Sequence, residues 1–559
     1  MKKMLALLLA LAMMISLLAA CGSSSTDDEE DTSSDAETTE EAEETDDAED
    51  AEEEASEDEE EERYSSVNIG TLSSMAVGHF DGIGLLSDNY CQPANYLVYD
   101  VLFYINEEGV QTSDILESWT WDDSVGDNGG IILVLKDYVY FANGDQMDAY
   151  DIVWSLNRSS QVARTATNMA RFLLDEATVS DDGFTLTIPM TEAYSEWQVL
   201  VSGLVIMDGD YIDANGGDDY DYTDITLVNG SGPYSVVAYE EDISVTFEKR
   251  DDWWMEDEAD GLATVQTITV TAYSDSNTMM IDYENGVIDA AIDLTYSDYD
   301  YVEADSSLGT AVKVNTNCVV NLVMDAEGNE YLQDETLRKA IAYGMDGTAL
   351  GTLAYGSLSE EATGFVVSSN SYYVEGYTYD YDPEYAAELV EESSYNGEEI
   401  LLVTTSGTNA TIAEAFQAQM AEIGINITVE IYDAATCVVM WLEEGSTGFL
   451  FDHTSNANSS NSFNTEYLNV RATVDFPCYM KTDETWNDLL DSAMATTDAD
   501  EIADLYAQFQ EYAYEVCYVA PICIRYSAYA YGCSGVIEDL QIWDTTGPNL
   551  RYLTTSVIS

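Results

Sequence analysis

The stretch 399–432 constrains the fold more than any other part of the sequence. Residues 400–404 (ILLVT) form a short apolar run of strand length. Residues 409–423 then place Ile412, Phe416, Met420 and Ile423 at helical spacing, and Gly424 stands where a left-handed cap residue belongs. A second strand is expected over 425–431. A helix between two strands this close together implies a parallel crossover, because antiparallel neighbours need only a tight turn. The chain is therefore expected to be α/β rather than a β-sandwich or a helix bundle.

The same reading extends elsewhere. Residues 131–136 form a strand that 138–141 continues after a turn. Residues 148–157 form a helix capped by Asp148, with Ile152, Val153 and Leu156 on one face. Residues 184–188 and 243–247 alternate as strands. At 559 residues the chain has room for more than one lobe.

The N-terminus reads as an address. Lys2 and Lys3 precede an apolar run over 4–18, too short for an ordinary spanning helix, and Leu18-Ala19-Ala20-Cys21-Gly22 follows. The last five residues resemble a bacterial lipobox, which implies cleavage before Cys21 and diacylglycerol on its thiol. Two acyl chains suffice for stable anchoring. Residues 27–62 hold 24 acidic residues and no basic one. Such a segment cannot bury enough apolar surface to fold, and its charges keep it extended. The expectation is an acidic tether holding a body on the extracytoplasmic face of a bacterial membrane.

Charge and residue counts exclude several functions. The formal net charge is −93, from 16 Lys+Arg against 109 Asp+Glu. Nucleic-acid binding, which needs clustered cations, is excluded as a default, and self-repulsion favours a soluble monomer. With two histidines, His79 and His453, a histidine-rich metal site is a poor expectation. The chain has no GxSxG, HExxH or Walker motif. The run 325–329 lacks the turn glycine and the bidentate glutamate of a calcium loop. No catalytic set, metal site or cofactor is expected, and the seven cysteines after Cys21 read mostly as small buried hydrophobes.

Several segments in order resemble family 5 extracellular solute-binding proteins, the oligopeptide- and dipeptide-binding subunits of bacterial ABC transporters. They are 133–158 (LVLKDYVYFANGDQMDAYDIVWSLNR), 231–234 (SGPY) with 247–254 (FEKRDDWW), 285–289 (NGVID), 337–346 (LRKAIAYGMD), 381–384 (YDPE) and 418–427 (AQMAEIGINI). The resemblance implies a two-lobed, type II periplasmic-binding-protein-like fold. Two mixed α/β lobes are joined by a two-crossing hinge, with an extra subdomain in the first lobe. The implied division is a signal peptide at 1–20 and a linker at 21–62. The first lobe takes 63–315, the second 316–516, and the chain returns to the first at 517–559. Crossings are expected near 313–317 and 514–525.

The implied function is capture of a small peptide between the lobes and its delivery to ABC permease and ATPase subunits, with the membrane touched only through the lipid. The family's ligand loop carries an aspartate that takes a peptide's α-ammonium. Counting back from Phe463 puts Asn456 there, with Asp452 a substitute if the loop is shifted. The candidate ligand-binding residues are His79, Phe80, Phe449, Phe451, Asp452, His453 and Asn456. A sugar, an opine-like compound or a metal chelate is the rival ligand. A surface hydrolase using His79 or His453, or an adhesive lipoprotein, is the rival class.

Overall fold

The computed structural model describes residues 66–72, 80–83, 97–105, 111–162, 165–194, 197–241, 243–255, 265–324, 326, 329–368, 370, 372–433, 436–437, 440, 449–455, 483–496, 498–541 and 554–557. Cys21, the acidic tether, His79 and Asn456 lie outside the described residues.

In chain order the strands are β1 (Ser66–Thr71), β2 (Tyr104–Ile105), β3 (Gln111–Thr112), β4 (Leu116–Asp122), β5 (Gly130–Leu135), β6 (Thr178–Val179), β7 (Thr185–Pro189), β8 (Tyr234–Glu240), β9 (Ser244–Lys249) and β10 (Thr267–Ala272). They continue with β11 (Ala290–Ile292), β12 (Thr310–Met324), β13 (Ser359–Glu361), β14 (Glu399–Thr405), β15 (Asn426–Tyr432), β16 (Phe449–Ser455), β17 (Val519–Tyr531), β18 (Ile537–Gln541) and β19 (Thr554–Val557).

Eleven of these strands make one continuous sheet, ordered β15-β14-β16-β12-β17-β11-β1-β10-β9-β8, with β13 also on β17. Two strands are much longer than their neighbours: β12 has 15 residues and β17 has 13. They run antiparallel and each serves both lobes. Residues 310–315 pair with 531–526 beside β11, whereas 318–323 pair with 525–519 beside β16. The register breaks between Asn315 and Cys318. A bulge of this kind bends a strand and increases its twist. This pair of strands is the two-crossing hinge. The fold is the two-lobed, type II periplasmic-binding-protein-like arrangement. A separate four-stranded sheet, β4-β5-β7-β6, forms the extra subdomain of the first lobe.

Each lobe has its own core. Ile69, Phe103, Leu133, Phe247 and Ile268 are buried together in the first. In the second, side chains alternate across β12. Val320, Leu322 and Met324 pack with Ile341, Leu402 and Phe416 on one face, and Val323 packs with Trp486, Tyr506 and Phe509 on the other. The expected crossover is present: β14, the helix Thr408–Glu422, then β15 parallel to β14, with Gly424 at φ 88°. The helix Ala149–Ser159 starts at Asp148, whose N–H donates to the Asp151 carboxylate at 3.0 Å while its own side chain accepts from Tyr150.

One expected element is absent. Residues 138–141 do not continue β5 as a strand, and only Tyr140 bridges to Gln146. The alternation is real, with Val139 and Phe141 buried and Tyr138 and Tyr140 exposed. The Phe141 N–H donates instead to the Asp145 carbonyl at 2.9 Å, folding the segment back at once.

Candidate functional site

Strand direction locates the site. β17 runs from the second lobe into the first, and β11 is antiparallel to it, so β11 ends at the junction of the lobes. β1 and β10, parallel to β11, end there too. From the other side, β16 is antiparallel to β12 and β14 is parallel to β16, so both end at the same junction. Ligands of α/β sheets bind outside the carboxyl ends of strands, and here both lobes aim those ends at one space.

A cavity of about 590 Å³ lies at that junction. It is bounded by Asp293 and Thr295 after β11, Tyr355 on the helix Gly347–Tyr355, Asn409 at the start of the helix after β14, and Arg525 to Ala528 on β17. This is the scale of a small-ligand pocket. Asp293 adopts φ 60°, a left-handed backbone that aspartate tolerates better than most residues, and accepts a hydrogen bond from Thr71 Oγ1 at 2.8 Å. The next residue, Leu294, donates its N–H to Ala528 at 3.0 Å, tying the end of β11 to the hinge strand. Thr295 caps the helix Tyr296–Ala304 by accepting from the Asp298 N–H.

Arg525 sits where the hinge changes lobes. It pairs with Cys318, the first residue after the bulge, and with Ser359 of β13. Its guanidinium lies 5.7 Å from the centre of the Tyr355 ring, within range of a cation–π contact. Burial pushes the Tyr355 phenol up to about 12, so it remains a neutral hydroxyl at physiological pH. The helix Thr408–Glu422 starts at the cavity after Gly407, with no side-chain cap on its first turn. Beside the cavity, Lys313 Nζ donates to Glu360 at 2.7 Å and lies 3.9 Å from the centre of the Tyr526 ring. The Tyr526 hydroxyl donates to the same carboxylate at 2.8 Å.

The residues singled out from the sequence fall differently. Phe80 is 2% exposed and packs edge-on against Tyr239 in the first lobe's core. Its ring fills that core because the Phe80 N–H donates to Tyr222 and its carbonyl accepts from the Tyr99 hydroxyl. Phe80, expected in the cleft wall, has its ring among the buried side chains of the first lobe. Phe449, Phe451, Asp452 and His453 all lie on β16, opposite Met324, Leu322, Asn321 and Val320. Asp452 is thus a paired residue inside the sheet. Sequence reasoning missed Asp293, Ser527 and Arg525. A signal for Arg525 existed, since it is one of 16 basic residues and falls at the expected return crossing.

Among the described residues no helix is long and apolar enough to cross a membrane.

Comparison with known proteins is consistent across sequence and structure. Residues 112–471 match the family described as bacterial extracellular solute-binding proteins, family 5 middle. The glutathione-binding protein GsiB of Shigella boydii is 23% identical over 353 residues, 62% of this chain and 66% of that protein. The chain thus spans just under two thirds of the length of that relative. Among solved structures, DppA of Helicobacter pylori in complex with the peptide STSA superposes with a TM-score of 0.71 at 18% identity, over 89% of this chain and 99% of that one. The substrate-binding protein CtaP of Listeria monocytogenes gives 0.72 at 19% identity, over 88% and 99%.

Proposed function

The chain belongs to the family 5 bacterial extracellular solute-binding proteins, and from that premise we propose that it is the lipid-anchored substrate-binding subunit of an ABC importer for peptides. It takes a peptide between its lobes, closes over it, and presents the closed form to a membrane permease driven by ATPase subunits. The observation that carries this reading is the convergence of strand carboxyl ends from both lobes on one 590 Å³ cavity at the hinge. Relatives named for glutathione and for a bound tetrapeptide support peptides over sugars.

The proposed division is a signal peptide at 1–20, a tether at 21–62 from lipidated Cys21, a first lobe at 63–315 and 517–559, and a second lobe at 316–516. The handover of pairing from Tyr526 to Arg525 supports a return crossing within β17. The proposed ligand residues of the second lobe are Phe449, Phe451, Asp452 and His453 of β16, together with Asn456. His79 is the proposed ligand residue of the first lobe. The protein works as a monomer.

Calorimetry of the intact protein against separate pools of short peptides, sugars, opine-like compounds and metal chelates tests the reading. Heat of binding is expected from the peptide pool alone. Saturable binding to another pool with none to peptides transfers the role to that solute class.

A further inference from the structure

We propose that a second pocket, walled by Trp119, Trp121, Tyr194 and Trp197 of the first lobe and bordered by Ile502 of the second, binds a quaternary ammonium compound. The site shares no lining residue with the hinge cavity, and it does not depend on the peptide reading above.

The walls follow from the local fold. β4 is the edge strand of the four-stranded sheet, and Trp119 and Trp121, two residues apart on it, share one face. Tyr194 and Trp197 follow β7 and are both buried. Phe103 packs nearly perpendicular to Trp119 and to Trp197, with ring centres 5.2 and 5.4 Å away, and so fixes both indoles. Trp121 rests against Gly129, where any side chain would collide with its indole. From the second lobe, the helix Ala499–Val516 brings Ile502 to the same space, while Ile502 stays buried in one cluster with Trp486 and Tyr506. The pocket holds about 300 Å³, the lower end of the range for small-molecule sites. Because Ile502 belongs to the other lobe, a molecule held here touches both.

The chemistry of the walls selects the ligand. An aromatic ring attracts a cation over its negative face, and indole does so most strongly. Three of the chain's nine tryptophans meet in this one pocket. The same wall already carries a cation on one side: the Arg171 guanidinium lies 4.7 Å from the centre of the Tyr194 ring, its charge offset by an ion pair with Glu192. The approaches are acidic. Asp123 accepts from Trp121 Nε1 at 2.7 Å, and Asp498, Asp500 and Glu501 begin the helix that carries Ile502. At a net charge of −93 the whole chain draws cations and repels anions. A primary ammonium brings three N–H donors that need acceptors once buried. Besides the ring residues, only Thr120 and Gln198 are polar among the described residues that line the pocket. A quaternary ammonium has no N–H to satisfy and meets the rings with its methyl groups.

Calorimetry of the intact protein against three matched solutes tests the proposal. They are choline, the neutral carbon isostere in which a tert-butyl group replaces the trimethylammonium, and ethanolamine. Choline is expected to bind saturably, about tenfold or more tighter than either of the others. Trp119→Leu and Trp121→Leu each keep an apolar wall and remove one ring. Each should weaken choline about threefold or more and leave the isostere unchanged, and the two together cover the case in which one variant misfolds. Ser527→Trp, which takes up space in the hinge cavity, should leave choline binding unchanged. No binding of choline, equal binding of the isostere, or tighter binding of ethanolamine overturns the proposal. So does a choline affinity that survives both leucine substitutions, or one lost in Ser527→Trp, which would put the ammonium in the hinge cavity.

Discussion

Lys313 and Glu360 form an ion pair at 2.7 Å between β12, on its first-lobe side of the bulge, and β13, which pairs with the second-lobe half of β17. The hydrogen bonds from Lys313 and Tyr526 hold the Glu360 carboxyl below the usual carboxylate range. A depressed folded-state value contributes stability above the unfolded value, and that stability is lost as the pH falls through the folded one. The Glu360 side chain is 54% exposed, so screening leaves about 0.5 kcal/mol or less. Glu360→Gln should melt slightly below the parent at pH 7 and at the same temperature as the parent near pH ~3. A gap that widens as the solution is acidified would count against this pairing.

Arg338 is a larger structural commitment. It is 4% exposed, and its guanidinium donates to the carbonyls of Leu332 at 2.9 Å, Val516 at 3.0 Å and Cys517 at 3.2 Å. Val516 ends the helix Ala499–Val516, whose last carbonyls have no partner within the helix. Arg338→Ala strands several buried acceptors and should cost about 2–4 kcal/mol in denaturant unfolding. Arg338→Lys should recover less than half of that, because one ammonium cannot reproduce the fork. A loss under about 1 kcal/mol for the alanine variant would mean that water replaces the guanidinium.

The proposed anchor is Cys21. Cys21→Ala should leave the precursor unprocessed or release the protein from the membrane fraction. Metabolic labelling with a fatty acid should mark the parent and not the variant. A variant that fractionates and migrates like the parent would rule out lipidation at this residue.

Local patterns were legible in the sequence and long-range pairings were not. The Thr408–Glu422 helix, its flanking parallel strands and Gly424 follow from spacing within the single window 399–432. The Asp148 cap is equally local. The failure at 138–141 is also instructive, because alternation reports burial on one face and not whether a neighbouring strand is there to pair. The packing of Phe80 against Tyr239 was not legible, because a turn sequence does not reveal which neighbours its ring meets. Asp293 and Arg525 meet in one cavity only because β11 and β17 pair across more than two hundred residues, which no window of the sequence displays.

Thermal unfolding of the intact protein with randomised di- and tripeptides, run beside Ser527→Trp, tests the central claim most directly. Ser527 lies on β17 in the wall of the 590 Å³ cavity, and an indole there takes up space a ligand would need. Peptide at about a hundred times its Kd should raise the parent's stability by about 2.7 kcal/mol. The same addition should leave the tryptophan variant unmoved, although the two empty proteins melt together. An equal shift in both would place the ligand outside this cavity, and no shift in the parent would contradict peptide capture altogether.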